Sequence, residues 1–311
     1  MSFIFNNNQP GMQVLKSAIE TKKILSNAVF IVSTPRSGST MLFNLLMQGP
    51  DFWTIGCESH GVYARFPNLK AENQSLDSGC LTKAHADNET SESMRALYLS
   101  SIMNRDKVSY ISAEQSGFNK AVCFLEKTPR NSLNIKFLMQ VFPDAKFIYL
   151  HRDAKQNISS MIEAWGVGKE TGQFVTFRDL PDWPLKYWCF ILPPGWRKYK
   201  DKSIAEIAAF QWKSCNEIIM KNLSKLDKNR WMSLSYQDLI DNSEKQIKRM
   251  CKFSGVDFDD RLLSAAKNKR PLSQTTISEP HSEKWRRHES EIMPLLPKIN
   301  ATIKKISKLK Q

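Results

Sequence analysis

Residues 29 to 46 read Val-Phe-Ile-Val-Ser-Thr-Pro-Arg-Ser-Gly-Ser-Thr-Met-Leu-Phe-Asn-Leu-Leu. The apolar run Val29–Val32 has strand character, and it enters a turn containing Pro35, Arg36 and Gly38. A helical pattern begins at Ser39 and Thr40. Strand, small-residue turn and helix start together make an anion cradle. The first N–H groups of a helix have no internal partner, and the helix dipole is positive there. Ser37, Ser39 and Thr40 add hydroxyl donors, and Arg36 adds a planar cationic fork. The nucleotide triphosphate loop has the pattern G-x-x-x-x-G-K-[ST]. Aligned on Gly38, its first glycine falls on Ser33 and its lysine on Ser39, so the loop lysine is missing.

The order Pro35-Arg-Ser-Gly-Ser-Thr40 instead resembles the 5′-phosphosulfate loop of sulfotransferases that use 3′-phosphoadenosine 5′-phosphosulfate (PAPS). A second segment is similar to the 3′-phosphate site of the same family. Residues 146 to 162 contain an apolar strand ending in His151, Arg152 and Asp153. A helical pattern follows, with Ile158, Met161, Ile162 and Trp165 on one face. Ser160 lies eight residues after Arg152, at the spacing by which the family grips a ribose 3′-phosphate. A guanidinium binds phosphate through two parallel hydrogen bonds.

Two further segments resemble the family in part. Glu126-Lys-Thr-Pro-Arg130 precedes a helical run (Leu133, Phe137, Leu138, Val141), as a Lys-Thr-Pro turn does in related enzymes. Trp231–Ile240, containing Tyr236, leads into a helix from Ser243 that ends at Phe253-Ser-Gly255. The family often has Tyr-Glu-Asp-Leu and Phe-Leu-Gly here, whereas this chain has Gln237 and Ser254. The pair Lys284-Trp285 resembles a Lys-Trp near the 3′-phosphate site of some relatives, although the family's glycine-rich basic segment is absent.

The chain has 311 residues and 41% hydrophobic side chains, enough for one sizeable core. Six cysteines are scattered without a C-x-x-C pair, which argues against a zinc site and fits a reducing compartment. No apolar stretch reads as a signal peptide or a membrane span, so a soluble, cytoplasmic protein is expected. The 45 Lys and Arg exceed the 31 Asp and Glu, giving a formal net charge of +14. Such an excess attracts polyanions. Much of it lies late, in Lys267-Asn-Lys-Arg270, Lys284-Trp-Arg-Arg287 and the tail Lys304, Lys305, Lys308 and Lys310.

Residues 1–27 read as an N-terminal extension with a short amphipathic helix (Val14, Leu15, Ile19, Ile24, Leu25), and residues 28–311 as a single domain. Variable acceptor-side segments are expected near 61–119 and 166–200. In the latter, Gly166, Gly168 and Gly172 with four prolines interrupt any regular element, and eight aromatic residues suggest an acceptor wall. A strand–loop–helix unit at 28–48 and strands near 52–57, at 146–151 and near 231–235 predict an α/β fold. Its P-loop-like parallel sheet, flanked by helices, resembles the sulfotransferase fold.

The resemblance implies in-line sulfuryl transfer from PAPS to a hydroxyl or amine of a small-molecule acceptor, releasing adenosine 3′,5′-bisphosphate without a metal. Cofactor contacts are expected from Arg36, Ser37, Gly38, Ser39, Thr40, Arg152, Ser160, Tyr236, Lys284 and Trp285. Arg36 is also expected to act electrostatically on the leaving oxygen. A strand ending at Ile55 or Gly56 would deliver Glu58 and His60 to one face as base candidates, Glu58 first. The chain resembles cyanobacterial tailoring sulfotransferases, including those of the saxitoxin pathway. A guanidinium acceptor of that kind would call for acidic groups such as Glu58, Asp179 and Asp182. A nucleotide-dependent kinase of related fold and a non-catalytic polyanion-binding protein are the competing readings; no nucleic-acid partner is expected. The acceptor and the oligomeric state are open.

Overall fold

The computed structural model describes residues 17–268, 276–279 and 281–309. Val14 and Leu15 of the N-terminal segment, and Lys269, Arg270 and Lys310 of the basic clusters, lie outside the described residues.

The sheet grows from the segment that opened the reading. β1 (Asn27–Ser33) is buried from Ala28 onward. A strand covered on both faces needs an unbroken apolar run, which Ala28–Val32 supplies. β2 (Phe52–Trp53), β3 (Cys123–Lys127), β4 (Lys146–His151) and β7 (Trp231–Ser235) complete a five-stranded sheet. Its order is β2-β3-β1-β4-β7, and every pairing is parallel. β1 is therefore central, registered against β3 (Val29 opposite Leu125) and β4 (Ile31 opposite Ile148).

Period-two alternation sends the two sets of β1 side chains into separate cores. Phe30 and Val32 join Phe124, Phe137, Phe142 and Phe147 on one face. Val29 and Ile31 join Leu42, Leu125, Ile148, Leu234 and Ile247 on the other. The crossovers are helical: Ser39–Leu46 after β1, Ile135–Val141 before β4, and Ala154–Thr171 then Ile204–Leu223 between β4 and β7. The helix Ala154–Thr171 starts at Asp153, whose carboxylate accepts the Gln156 N–H, and Ser203 with Glu206 forms a capping box for Ile204–Leu223.

Four expectations are corrected. β3 was not anticipated, although Ala121–Leu125 is an apolar run; its last residues, Glu126 and Lys127, are charged yet buried. β2 stops at Trp53, and the chain then turns, so no strand end carries Glu58 and His60. Gly166 and Gly168 do not break the chain: the helix runs through both and ends at Gly172, whose φ is +77°. Gly168 is required for packing, because a Cβ there would lie 2.5 Å from Cys189 Sγ. Residues 61–119 cover the β2 side of the sheet through the helix Asn88–Ser101 and the bridges Thr54–Met103 and Met103–Ser109, and none of its described residues lines the cleft described next.

The aromatic segment also divides differently from expectation. β5 (Val175–Arg178) and β6 (Tyr187–Cys189) form an antiparallel hairpin. Trp183, Trp188 and Trp196 are buried with Trp165 in a satellite cluster beneath it. Only Phe174 and Phe190 of the eight aromatics face the cleft.

Candidate functional site

A cleft of about 1630 Å³ opens at the C-terminal ends of the strands. In parallel α/β sheets, ligands bind in this position, where the crossovers change direction. The loops after β1, β3, β4 and β7 all reach it.

The turn after β1 is pinned from below. Asn157, fully buried on the helix after β4, donates to the Pro35 carbonyl at 2.8 Å and accepts from Ser37 Oγ at 3.1 Å. The Ser37 N–H is spent on the Thr34 carbonyl at 3.3 Å. Ser37 therefore holds the turn and does not face the cleft, which corrects its expected ligand role. Arg36 takes φ +67° and Gly38 φ +91°. A Cβ on Gly38 would lie 2.5 Å from the Tyr236 ring, so both the left-handed backbone and the ring require glycine. No side chain caps the following helix at Gly38. Its first turn, Ser39 to Met41, lines the cleft.

On the β4 side, Arg152 Nη1 donates to the Arg36 carbonyl at 3.2 Å. Its Nε and Nη2 reach Gln156 Oε1 at 3.3 and 3.2 Å, and the guanidinium lies 4.6 Å from the centre of the Tyr236 ring. Arg36 Nε donates to Ser160 Oγ at 3.4 Å, with its guanidinium 5.0 Å from the Phe174 ring. Arg36, Arg152 and Ser160 thus share one pocket. Burial and the neighbouring Arg152 charge push the Arg36 pKa down to about 10, with Glu163 pulling the other way. Among the described residues, no carboxylate lies within ion-pair distance of either arginine. Lys284 and Trp285 line the same cleft from the far end of the chain.

On the β3 side the cation is already matched. Lys127 Nζ meets Glu58 Oε1 at 2.5 Å and donates to Thr40 Oγ1 at 3.0 Å, with its side chain only 3% exposed. Glu58 Oε2 is 3.0 Å from His60 Nε2. Burial raises the Glu58 pKa, but His60 and Lys127 together outweigh it and hold the carboxyl down at about 2. Glu58 lies in a turn, and His60 opens the short helix His60–Ala64. Both line the cleft, although by a different local structure from the expected strand end.

Beneath that turn, Glu126 is fully buried. It accepts from Ser59 Oγ at 2.7 Å, Thr128 Oγ1 at 2.5 Å and Asn131 Nδ2 at 2.7 Å. The Ser59 N–H in turn donates to Thr128 Oγ1 at 2.7 Å. Ser59 stands between Glu58 and His60, so this network fixes both against the end of β3. Lys127, Glu126 and Asn157 have no assigned role in the sequence reading. The signal for the first two was a charged pair closing an apolar run directly before Thr128-Pro129.

Asp179 and Asp182 are exposed in the β5–β6 turn and do not line the cleft, so they are not its acidic groups. His151 fills the end of β4; burial pushes its pKa down to about 4, keeping it neutral at pH 7. Among the described residues, no three His, Cys, Asp or Glu side chains gather as a metal site, and no helix is long and apolar enough to cross a membrane.

Protein-tyrosine sulfotransferase A of Caenorhabditis elegans is 22% identical over 237 residues, covering 76% of this chain and 51% of that protein. The protein-tyrosine sulfotransferase of Drosophila melanogaster is 24% identical over 239 residues, covering 76% and 39%. The chain thus spans about half or less of the length of these relatives. The crystal structure of sulfotransferase STF1 from Mycobacterium tuberculosis is 13% identical, with a TM-score of 0.48, covering 90% of this chain and 80% of that one. The profile of the sulfotransferase family matches residues 28–192 and 175–260, which include the turn after β1, the Glu58 turn, Lys127, Arg152 and Ser160, and this chain belongs to that family.

Proposed function

We propose that this protein transfers a sulfuryl group from PAPS to a hydroxyl or amine of a small-molecule acceptor. The observation that carries the reading is the pocket of Arg36, Arg152 and Ser160, beside an uncapped helix start and with no carboxylate among the described residues within ion-pair distance of either arginine. PAPS presents a 3′-phosphate and a 5′-phosphosulfate. Arg152 and Ser160 suit the 3′-phosphate, while Gly38, Ser39 and Thr40 suit the 5′-phosphate. Arg36 lies between the two groups. Tyr236, Lys284 and Trp285 complete the nucleotide wall.

In the transfer, a bond forms from the acceptor to sulfur as the bond from sulfur to the 5′-phosphate oxygen breaks. The electron pair stays on the departing adenosine 3′,5′-bisphosphate. The helix start, Arg36 and Lys127 stabilise that charge, which is electrostatic work because an arginine stays protonated at neutral pH. No step of this transfer calls on a metal. The acceptor proton goes to Glu58, with His60 as the second choice of base. A carboxylate held at about 2 by its partners is a weak base. Donor binding answers this: the 5′-phosphate beside Thr40 offers Lys127 a second anion and loosens its hold on Glu58.

Phe174 and Phe190, with ring centres 5.5 Å apart, give the acceptor an apolar surface. Asp179 and Asp182, the acidic groups a guanidinium acceptor of the saxitoxin type would call for beside Glu58, do not line the cleft, which favours another hydroxyl or amine acceptor. The six cysteines are all free, in keeping with a reducing, cytoplasmic setting.

Calorimetric titration with adenosine 3′,5′-bisphosphate, with ATP in parallel and no added metal, tests the proposal. Tight binding of the bisphosphate and weak binding of ATP are expected. Preference for ATP would return the kinase reading, and binding of neither would return the polyanion reading.

A further inference from the structure

The helix Ala154–Thr171 presents a third polar side chain one turn beyond Ser160. Glu163 is only 13% exposed, and three donors from one distant segment converge on it. Lys284 Nζ lies 2.6 Å from Oε2, Ser278 Oγ donates at 3.2 Å, and Arg287 Nη1 lies 3.8 Å from Oε1. Lys284 is itself 14% exposed. The adjoining Trp285 is buried, with Lys155 Nζ 4.3 Å from its ring. Exposed ion pairs contribute little, but this one is largely out of water, where a lost partner is costly.

The arrangement has an electrostatic logic. Arg36, Arg152 and Lys284 bring three positive groups to the cleft, with Arg287 reaching Glu163 from outside its lining, and in the absence of ligand they repel one another. Glu163 is the acid placed among them. Its field acts on Arg36 as well as on the two cations it pairs with. Its carboxylate is not itself a group to touch a phosphate, so its effect on an anionic ligand runs through the groups it holds. Ser278 and Lys284 both line the cleft, and Ser160 stands on the same helix face as Glu163 at a spacing of three residues.

Resting on the donor assignment above, we infer that Glu163 is a specificity-determining positioning residue. It fixes Lys284 and Ser278 at the rim of the Arg36–Arg152–Ser160 pocket, so that a nucleotide bearing a 3′-phosphate is selected over one without it.

Adenosine 3′,5′-bisphosphate and 5′-AMP differ only in the 3′-phosphate, so the ratio of their dissociation constants isolates this effect. Calorimetry on the full chain would measure both for the parent, Glu163→Gln and Lys284→Met. The parent is expected to favour the bisphosphate by about 100-fold or more, the scale of one or two charge-assisted phosphate contacts. Glu163→Gln should cut that ratio about 10-fold while leaving the 5′-AMP affinity within about two-fold. Lys284→Met should reproduce the change, and it decides the matter if Glu163→Gln gives no cooperative melt. An unchanged ratio in the variants, or equal loss of both nucleotides, overturns the role of Glu163 and leaves the donor assignment standing. A parent that binds the two nucleotides equally overturns the donor assignment, and this inference with it.

Discussion

The loop after β1 is flanked by two cationic walls that are prepared in opposite ways. On the β4 side, Arg36 and Arg152 face the cleft with no carboxylate partner among the described residues, and their immediate contacts are a carbonyl, Gln156, Ser160 and aromatic rings. On the β3 side, Lys127 is buried and already paired with Glu58 and Thr40. Arg36 and Arg152, without an internal counterion, are left to pair with an anion from solution, whereas Lys127 sets the geometry and proton affinity of Glu58. On the proposed function, the difference would separate donor binding from chemistry within a single cleft.

The contrast can be broken most sharply at Glu58. Glu58→Gln keeps an acceptor oxygen for Lys127 but removes the proposed base, so turnover with the first productive acceptor should fall about 10²- to 10⁴-fold. Affinity for adenosine 3′,5′-bisphosphate should change little, and a large loss of that affinity would show that the β3 wall also binds. Lys127→Met leaves Glu58 beside the cleft without its cation. Glu58 faces the cleft and keeps His60, so the cost should fall below the roughly 3–5 kcal/mol of a fully buried pair, read as a lower midpoint in urea unfolding. An unchanged midpoint would mean that the pair contributes nothing net.

On the opposite wall, Arg152→Ala should weaken the bisphosphate by about 10- to 100-fold with little effect on the midpoint, because no protein charge loses a partner. The smallest effect concerns His151. Its pKa is about 4 in the folded chain against an ordinary 6.5, so the unfolded chain takes up its proton first as pH falls. Stability from this residue is complete above pH 6.5 and is lost progressively as pH falls to about 4. Unfolding midpoints measured at pH 7 and pH 4.5 should differ less in His151→Gln than in the parent.

The two walls also differed in how legible they were. The turn after β1 and the Arg152–Ser160 spacing are local, each contained within one strand-loop-helix unit, and periodicity with turn chemistry exposes such units. The β3 wall is assembled from three distant stretches, around Thr40, Glu58 and Lys127. Charged residues at the end of an apolar run usually mark the surface, and nothing adjacent in sequence announces that Lys127 is buried against a carboxylate 69 positions away. The same holds for the tryptophans between 183 and 196. Their number was plain, but whether they faced ligand or one another was decided by the helix passing through Gly168, where the missing Cβ admits Cys189. Ser37 was misassigned for a related reason. A hydroxyl in an anion-binding turn points to ligand only if no buried acceptor claims it, and Asn157 does.

Asn157, Ser160 and Glu163 follow one another at intervals of three along a single helix. They grip, in turn, the turn after β1, the Arg36 side chain and the C-terminal segment. That helix acts as an indexing shaft for three parts of the chain far apart in sequence. A helix advances about 100° per residue. One residue inserted before Asn157 would rotate all three grips off their targets together, whereas the sheet, built from other segments, would keep its register. The site is therefore intolerant of any insertion between the start of this helix and Glu163.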